Sequence, residues 1–287
     1  RGVPLSLSVL GLPATVVDAV HTELDIPSGI FLVTGPTGSG KSATLHALLA
    51  KINKPGLKSM TVEDPIEYSL EGVRQTEVNE DIGNTFSQIL RTFMRQDPDN
   101  IMIGEIRDAE TAVLAVRAAL TGHTILSSLQ TNDATSAVTR LLSMGIDPGF
   151  LASTLRCVIA QRLVRVLCSH CRERYIPSPL TLSKFTFVNT SEMPMFRGKG
   201  CPSCAFTGFS GRRPIVELWI PSSEELLYIS QRLDNVPLRS LIFDTGKRMS
   251  MIEDGLEQVK KGETTLEELL RVVPFAQIAE LNNRAMK

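Results

Sequence analysis

The segment Gly35-Pro36-Thr37-Gly38-Ser39-Gly40-Lys41-Ser42 constrains this chain more than any other. It fits the phosphate-loop pattern, in which glycines let backbone N–H groups converge on phosphate oxygens without side-chain clashes. The pattern has meaning only between a strand and a helix, because the positive N-terminus of the helix faces the same anion. Both flanks are present. Ile30 to Thr34 is a short apolar run rich in strand-forming residues, and Ala43 to Ile52 reads as a helix. Lys41 adds charge for the outer phosphates, and the Ser42 hydroxyl is a magnesium ligand in this pattern. Gly35 to Ala43 is therefore expected to bind a nucleoside triphosphate with Mg2+.

The same rhythm continues. Lys58 to Val62 is a strand candidate ending at Glu63, and Phe86 to Arg95 reads as a helix with Ile89, Leu90 and Phe93 on one face. Ile101 to Gly104 reads as a buried strand. Asp108 is placed to cap a helix over 109–121 that Gly122 ends, and Thr124 to Leu129 is a further strand. Alternation of this kind predicts an α/β fold with a mostly parallel sheet. The expected divisions are a lead-in over 1–28, interrupted by Pro4, Pro13 and Pro27 with one short helix near 14–24, and a phosphate-loop core over 29–165. A tetracysteine module over 166–213 and a mainly helical region over 214–287 follow.

In open α/β sheets, ligands lie beyond the carboxyl ends of the strands. Glu63, Glu105 and Gln130 each follow a predicted strand there. Phosphoryl transfer needs a positioned magnesium and an oriented water, and two carboxylates can divide those tasks. Glu105 occupies the place usually held by Asp, one methylene longer. Strand 124–129 puts His123 and Gln130 at opposite ends, which selects Gln130 for the phosphate side and leaves His123 a packing or interdomain residue. Arg91 and Arg95 are four apart on one helix face and flank Glu105, as does Arg107. Arg91 and Arg95 are candidates to reach a γ-phosphate in a neighbouring subunit, or else surface arginines paired with Asp97 or Glu105.

Four of the five cysteines form two C-x-x-C pairs, Cys168/Cys171 and Cys201/Cys204, with 29 residues between the pairs. Four thiolates complete a tetrahedral shell and leave no open position, so Zn2+ is expected there in a structural role. His170 reads as exposed. Cys157 lies in an apolar, helix-like run from Ser153 to Ile159 and reads as core. Paired thiols with no secretory signal at the start make the cytoplasm the expected compartment. The net charge of −1 and the lack of a basic stripe with interleaved aromatics disfavour a nucleic-acid partner.

These motifs together resemble the secretion ATPase family, in the branch of type II secretion and type IV pilus assembly motors. The resemblance runs from about Pro27 to Val273. It is carried by GPTGSGKS at 35–42, TVEDPIEY at 61–68, RQDPDNIMIGEIRDAET at 95–111, TGHTILSSLQTNDA at 121–134, the cysteine pairs and TTLEELLRV at 264–272. It implies a RecA-like core and a hexameric ring with ATP between neighbouring units. It also implies that Glu63 is the catalytic glutamate and Glu105 an atypical Walker B residue that serves magnesium with Ser42. The pilus retraction branch resembles the chain in the core but lacks the tetracysteine module. An N-terminal domain normally precedes the motor in this family, so the chain resembles an isolated C-terminal motor domain. Implied partners are copies of the chain and an inner-membrane platform protein or cytoplasmic adaptor, placing it in the cytoplasm at the inner membrane. One departure stands out: where the family reads H-T-N, this chain has Gln130-Thr131-Asn132. The reading from a different class is a nucleic-acid-dependent phosphate-loop motor with a structural zinc module.

Overall fold

Strand and helix alternate along the first 160 residues. In order these are α1 (Ala14–Leu24), β1 (Gly29–Thr34), α2 (Lys41–Ile52), β2 (Ser59–Glu63), β3 (Val73–Glu77), α3 (Phe86–Phe93) and β4 (Asn100–Ile103). Then come α4 (Ala109–Leu120), β5 (Thr124–Leu129), α5 (Ala134–Ser143), α6 (Pro148–Thr154) and the start of β6 (Leu155–Leu167). Beyond these lie β7 (Arg172–Arg174), α7 (Pro179–Leu182), β8 (Phe196–Gly198), β9 (Phe209–Trp219), α8 (Ser223–Ser230) and α9 (Leu238–Phe243). The chain closes with α10 (Met251–Lys260), α11 (Leu266–Val272) and α12 (Phe275–Ala285). The structure, a computed structural model, describes residues 6–188, 193–232, 237–243 and 248–285. Pro4 of the lead-in lies outside the described residues.

The chain groups into two compact units: Arg1–Ala160 with Leu218–Arg248, and Gln161–Glu217 with Met249–Lys287. Residues 214–287, read from the sequence as one helical region, are thus divided between the units. Strand β9 also runs through to Trp219, so the first part of that region is extended rather than helical.

The main sheet has the order β3-β2-β4-β5-β1-β6-β9. From β3 to β6 each neighbour runs parallel. Every residue of β1, β2, β4 and β5 is buried. A parallel strand covered on both faces has no polar side to alternate with, which is why these segments read as short apolar runs. Phe31, Leu32, Val62, Ile101, Ile103 and Leu126 fill the core between sheet and helices.

The helix ends follow their caps. The Thr85 hydroxyl accepts from Gln88 N at 3.3 Å, Asp108 from Thr111 N at 2.8 Å and Asp133 from Ser136 N at 2.8 Å. Gly122 takes φ 102° just past α4, a conformation that suits glycine at a helix end. The run Ser153 to Ile159 is not helical. Helix α6 ends at Thr154 and Cys157 lies wholly buried in β6, paired with Phe31 of β1. A strand buried on both faces carries the same continuous apolar signal as a buried helix, so periodicity does not separate them. Among the described residues no helix is long and apolar enough to cross a membrane.

Candidate active site and metal centre

The phosphate loop leaves β1 at Thr34 and enters α2 at Lys41. Gly38 and Gly40 take φ values of 77° and 89°, a region costly for side chains with a Cβ, so the tight turn into α2 depends on them. The Lys41 ammonium donates to the carbonyls of Gly35 and Pro36, both at 3.0 Å. Burial lowers the Lys41 pKa from the usual lysine value, and the negative charge of Glu105 works against that fall. The two charges therefore feel each other across the loop.

Parallel register brings the other strand ends to the same edge. Thr34 pairs with Leu129, Ile103 with Ser127, and Val62 with Ile103. Gly35 N donates to Leu129 O, Ser128 Oγ to Gly104 O at 2.7 Å and Gly104 N to Val62 O at 2.8 Å, so backbone bonds and one serine hydroxyl tie the four ends together. Gln130 follows β5 directly and Glu105 follows β4 after Gly104, and Gln130 Nε2 donates to Glu105 Oε2 at 3.0 Å. The other oxygen of Glu105 accepts from Arg107, whose guanidinium also donates to Asp64 Oδ2 at 3.0 Å and lies over the Phe86 ring. His123 is at the far end of β5, where Nδ1 meets Ala118 O at 2.8 Å.

Glu63 ends β2 and is only 4% exposed. Its Oε1 accepts from Thr61 Oγ1 at 2.6 Å and Gln75 Nε2 at 2.9 Å, and its Oε2 from His46 Nε2 at 2.9 Å. Burial pushes the carboxyl pKa up, but the donors His46, Thr61 and Gln75 outweigh it and leave the group below its ordinary value. Glu63 is thus an ionised carboxylate in an almost closed cage. Sequence reasoning missed that cage. Thr61 shares a strand face with Glu63 by the period of two, and the β2–β3 register sets Gln75 opposite Thr61. Strand β3 is a half-exposed edge strand of mixed polarity, with no apolar pattern to announce it.

Arg91 of α3 and Arg95, two residues beyond its end, do not join this edge within the chain. Arg91 pairs with Glu110 of α4, rather than with Asp97 or Glu105, and Arg95 is exposed just past the helix end. Arg107 is the arginine that reaches Glu105.

In the second unit, the four thiols of Cys168, Cys171, Cys201 and Cys204 lie within 4.8 Å of one another. The Sγ separations Cys168–Cys201, Cys171–Cys204 and Cys201–Cys204 are 3.9, 3.8 and 3.8 Å. A tetrahedron of sulfurs about 2.3 Å from zinc has edges of about 3.8 Å, so the donor set fits that ion. Backbone N–H groups of Cys201 and Gly208 donate to Cys204 Sγ, both at 3.3 Å, and favour the thiolate that a metal requires. Gly198 and Gly208 pack backbone against backbone: a Cβ on Gly198 would lie 2.0 Å from the Gly208 carbonyl oxygen, and one on Gly208 2.6 Å from that of Gly198. His170 is exposed.

Residues 1–271 match the family described as T2SSE, Type II/IV secretion system protein. The chain belongs to this family. It is 47% identical over 268 residues to the Type II secretion system protein HxcR of Pseudomonas aeruginosa, a match covering 93% of this chain and 53% of that protein. It is 42% identical over 264 residues to the Type IV pilus assembly ATPase PilB of Thermus thermophilus, covering 91% of this chain and 30% of PilB. Among solved structures, the pilus retraction motor PilT with bound ADP is similar at 28% identity and a TM-score of 0.71. That match covers 96% of this chain and 68% of PilT's. The chain therefore spans about half the length of its type II secretion relative.

Proposed function

We propose that the chain is the ATP-hydrolysing motor part of a machine for type II protein secretion or type IV pilus assembly. The observation that carries this is the shared edge: Lys41, Glu63, Glu105 and Gln130 follow or flank parallel strands whose carboxyl ends are in register. The loop of residues 35–43, through the backbone N–H groups that follow Pro36, and the N-terminus of α2 would hold the phosphates, and Lys41 adds its charge. Ser42 and Glu105 would hold magnesium, which would neutralise charge on the outer phosphates. Glu63 orients the attacking water and accepts its proton. Gln130, hydrogen-bonded to Glu105, offers an amide toward the γ-phosphate side of the site.

Copies of the chain form a hexameric ring in this proposal, with Arg91 and Arg95 presented to the nucleotide of a neighbour. Their exposure supports that assignment. The ring works in the cytoplasm at the inner membrane, against a platform protein or adaptor. A relative named for type II secretion and one named for type IV pilus assembly support a reading that covers both machines. A nucleic-acid-dependent motor gains no support from a net charge of −1.

The test is ATP turnover with Mg2+ across a dilution series, for the parent chain and Lys41→Ala. The proposal expects activity per chain to rise with concentration and Lys41→Ala to lose at least ~100-fold, the scale of a charge–phosphate contact. Normal turnover by a folded Lys41→Ala chain would sink the site. Flat specific activity from a monomer would sink the ring.

A further inference from the structure

Glu63 is nearly sealed, and two of its three donors are what the sheet would supply in any case. Thr61 and Gln75 face it through strand period and register. The third donor comes from elsewhere. His46 belongs to α2, four residues beyond Ser42 and thus one helical turn, about 6 Å, further along the same face. The imidazole is 1% exposed. Its Nε2 lies 2.9 Å from Glu63 Oε2, and a carboxylate only accepts, so Nε2 carries the hydrogen. Nδ1 is buried with no hydrogen-bond partner among the described residues, and the ring meets Tyr68 edge-on at 5.6 Å.

A side chain that merely filled this space would cost less as an apolar residue. Histidine leaves one buried ring nitrogen unpaired, a standing penalty. The contact that offsets the penalty is Glu63. We infer that His46 is a positioning residue for Glu63, fastening that carboxylate to the helix that begins at the phosphate loop. Ser42 on the magnesium side and the anchor of Glu63 on the water side then ride on one rigid turn of α2. Their spacing is set by the helix rather than by the loop after β2. Besides His46, Tyr68 faces this pair; β3 contributes the neutral Gln75 and, in register opposite Glu63, the carboxyl of Glu77, which accepts from Ile66 N at 3.0 Å. The inference rests on the proposed role of Glu63 in hydrolysis.

The test compares three variants of the full chain. His46→Leu keeps the volume and removes the donor. His46→Gln puts an amide N–H where Nε2 was, whereas His46→Asn puts one near Nδ1, short of Glu63. ATP turnover is measured for kcat, KM and the pH dependence of kcat, with thermal melts beside them. We expect His46→Leu and His46→Asn to lower kcat about tenfold or more, with KM for ATP little changed, the scale of one lost bond to a charged group. The acid limb of the kcat profile moves to higher pH in both, because Glu63 has lost a donor that favours its ionised form. His46→Gln recovers most of kcat and the parent's acid limb. If His46→Leu does not fold, the contrast between Asn and Gln decides alone. Three variants alike in kcat, or slowed only in step with lower melting temperature and with the acid limb unmoved, overturn the inference. Lys41→Ala and Glu63→Gln run alongside: if both turn over normally, the hydrolysis reading itself fails, whereas if both are slow and every His46 variant matches the parent, only the role of His46 falls.

Discussion

The tetracysteine centre and the nucleotide edge are held together by different means. Each cysteine pair spans one short knuckle, and three of the sulfur separations already match the edge of a zinc tetrahedron, with all four sulfurs within 4.8 Å. Lys41, Glu63, Glu105 and Gln130 come from four segments over some ninety residues, and only parallel register brings them to one edge. The first site is closed and local, so a bound ion would hold it. The second is open and distributed, so the whole sheet holds it. A short motif in sequence therefore says more about the first site's geometry than about the second's.

The largest expected effect breaks the comparison on the metal side. Structural zinc contributes on the order of 10 kcal/mol to folding of small domains that depend on it. Chelation, or Cys204→Ser, should unfold the tetracysteine region and abolish the binding of one zinc per chain. Nucleotide binding at the phosphate loop should change by no more than a few fold, since no cysteine of the cluster belongs to that unit. Metal analysis and nucleotide titration check both halves. A chelated protein that melts like the untreated one would end the view that metal holds this centre.

The next effect asks whether the second unit has stability terms of its own. Asp254, near the start of α10, is 4% exposed, and its carboxylate accepts from Val216 N at 2.8 Å. Burial raises its pKa from the ordinary 3.8 to about 6, which the Val216 N–H, Arg213 and Lys261 only partly offset. The folded state therefore holds its proton more tightly than the unfolded chain. Stability from this group is full below about pH 4 and declines as pH rises towards 6, a loss of about 3 kcal/mol that persists at pH 7. Asp254→Asn keeps an acceptor for Val216 and removes that loss. It should stabilise the second unit at pH 7 by roughly 1–3 kcal/mol and leave it unchanged at pH 4. Denaturant melts at the two pH values decide. Equal gains at both would mean the carboxylate charge is not the cause.

The smallest effect sharpens the nucleotide side. Gln130 and His123 lie at opposite ends of β5, the first bonded to Glu105 and the second to the end of α4. Gln130→Ala should slow turnover by roughly tenfold, the scale of one hydrogen bond made in the transition state. His123→Ala should act on stability or assembly and leave turnover by the assembled protein close to the parent's. The opposite pattern in ATPase rates and melts would show that position along the strand does not select the residue that serves the phosphates.

Much of this was legible before the fold. The phosphate loop, the strands ending at Glu63 and Leu129, the Asp108 cap and the cysteine pairs all rest on local chemistry: backbone conformation, caps and ligand spacing. Strand β6 was not legible, because burial on both faces erases alternation, and β3 was not, because an edge strand needs little apolar character. The division of residues 218–248 from 249–287 has no local signal either. Arg91 looked free to meet Glu105, yet Glu110 is its partner. His46 reads along α2 as one buried residue among Leu45, Ala47, Leu48 and Leu49. Its meaning comes from Glu63, seventeen residues away on another element. The sequence by itself determined which chemical groups this chain has and the turns that present them, since those depend on neighbours within a few residues. Only the tertiary structure decided which carboxylate is caged, which is open, and which helix anchors the cage, because long-range strand register sets those contacts.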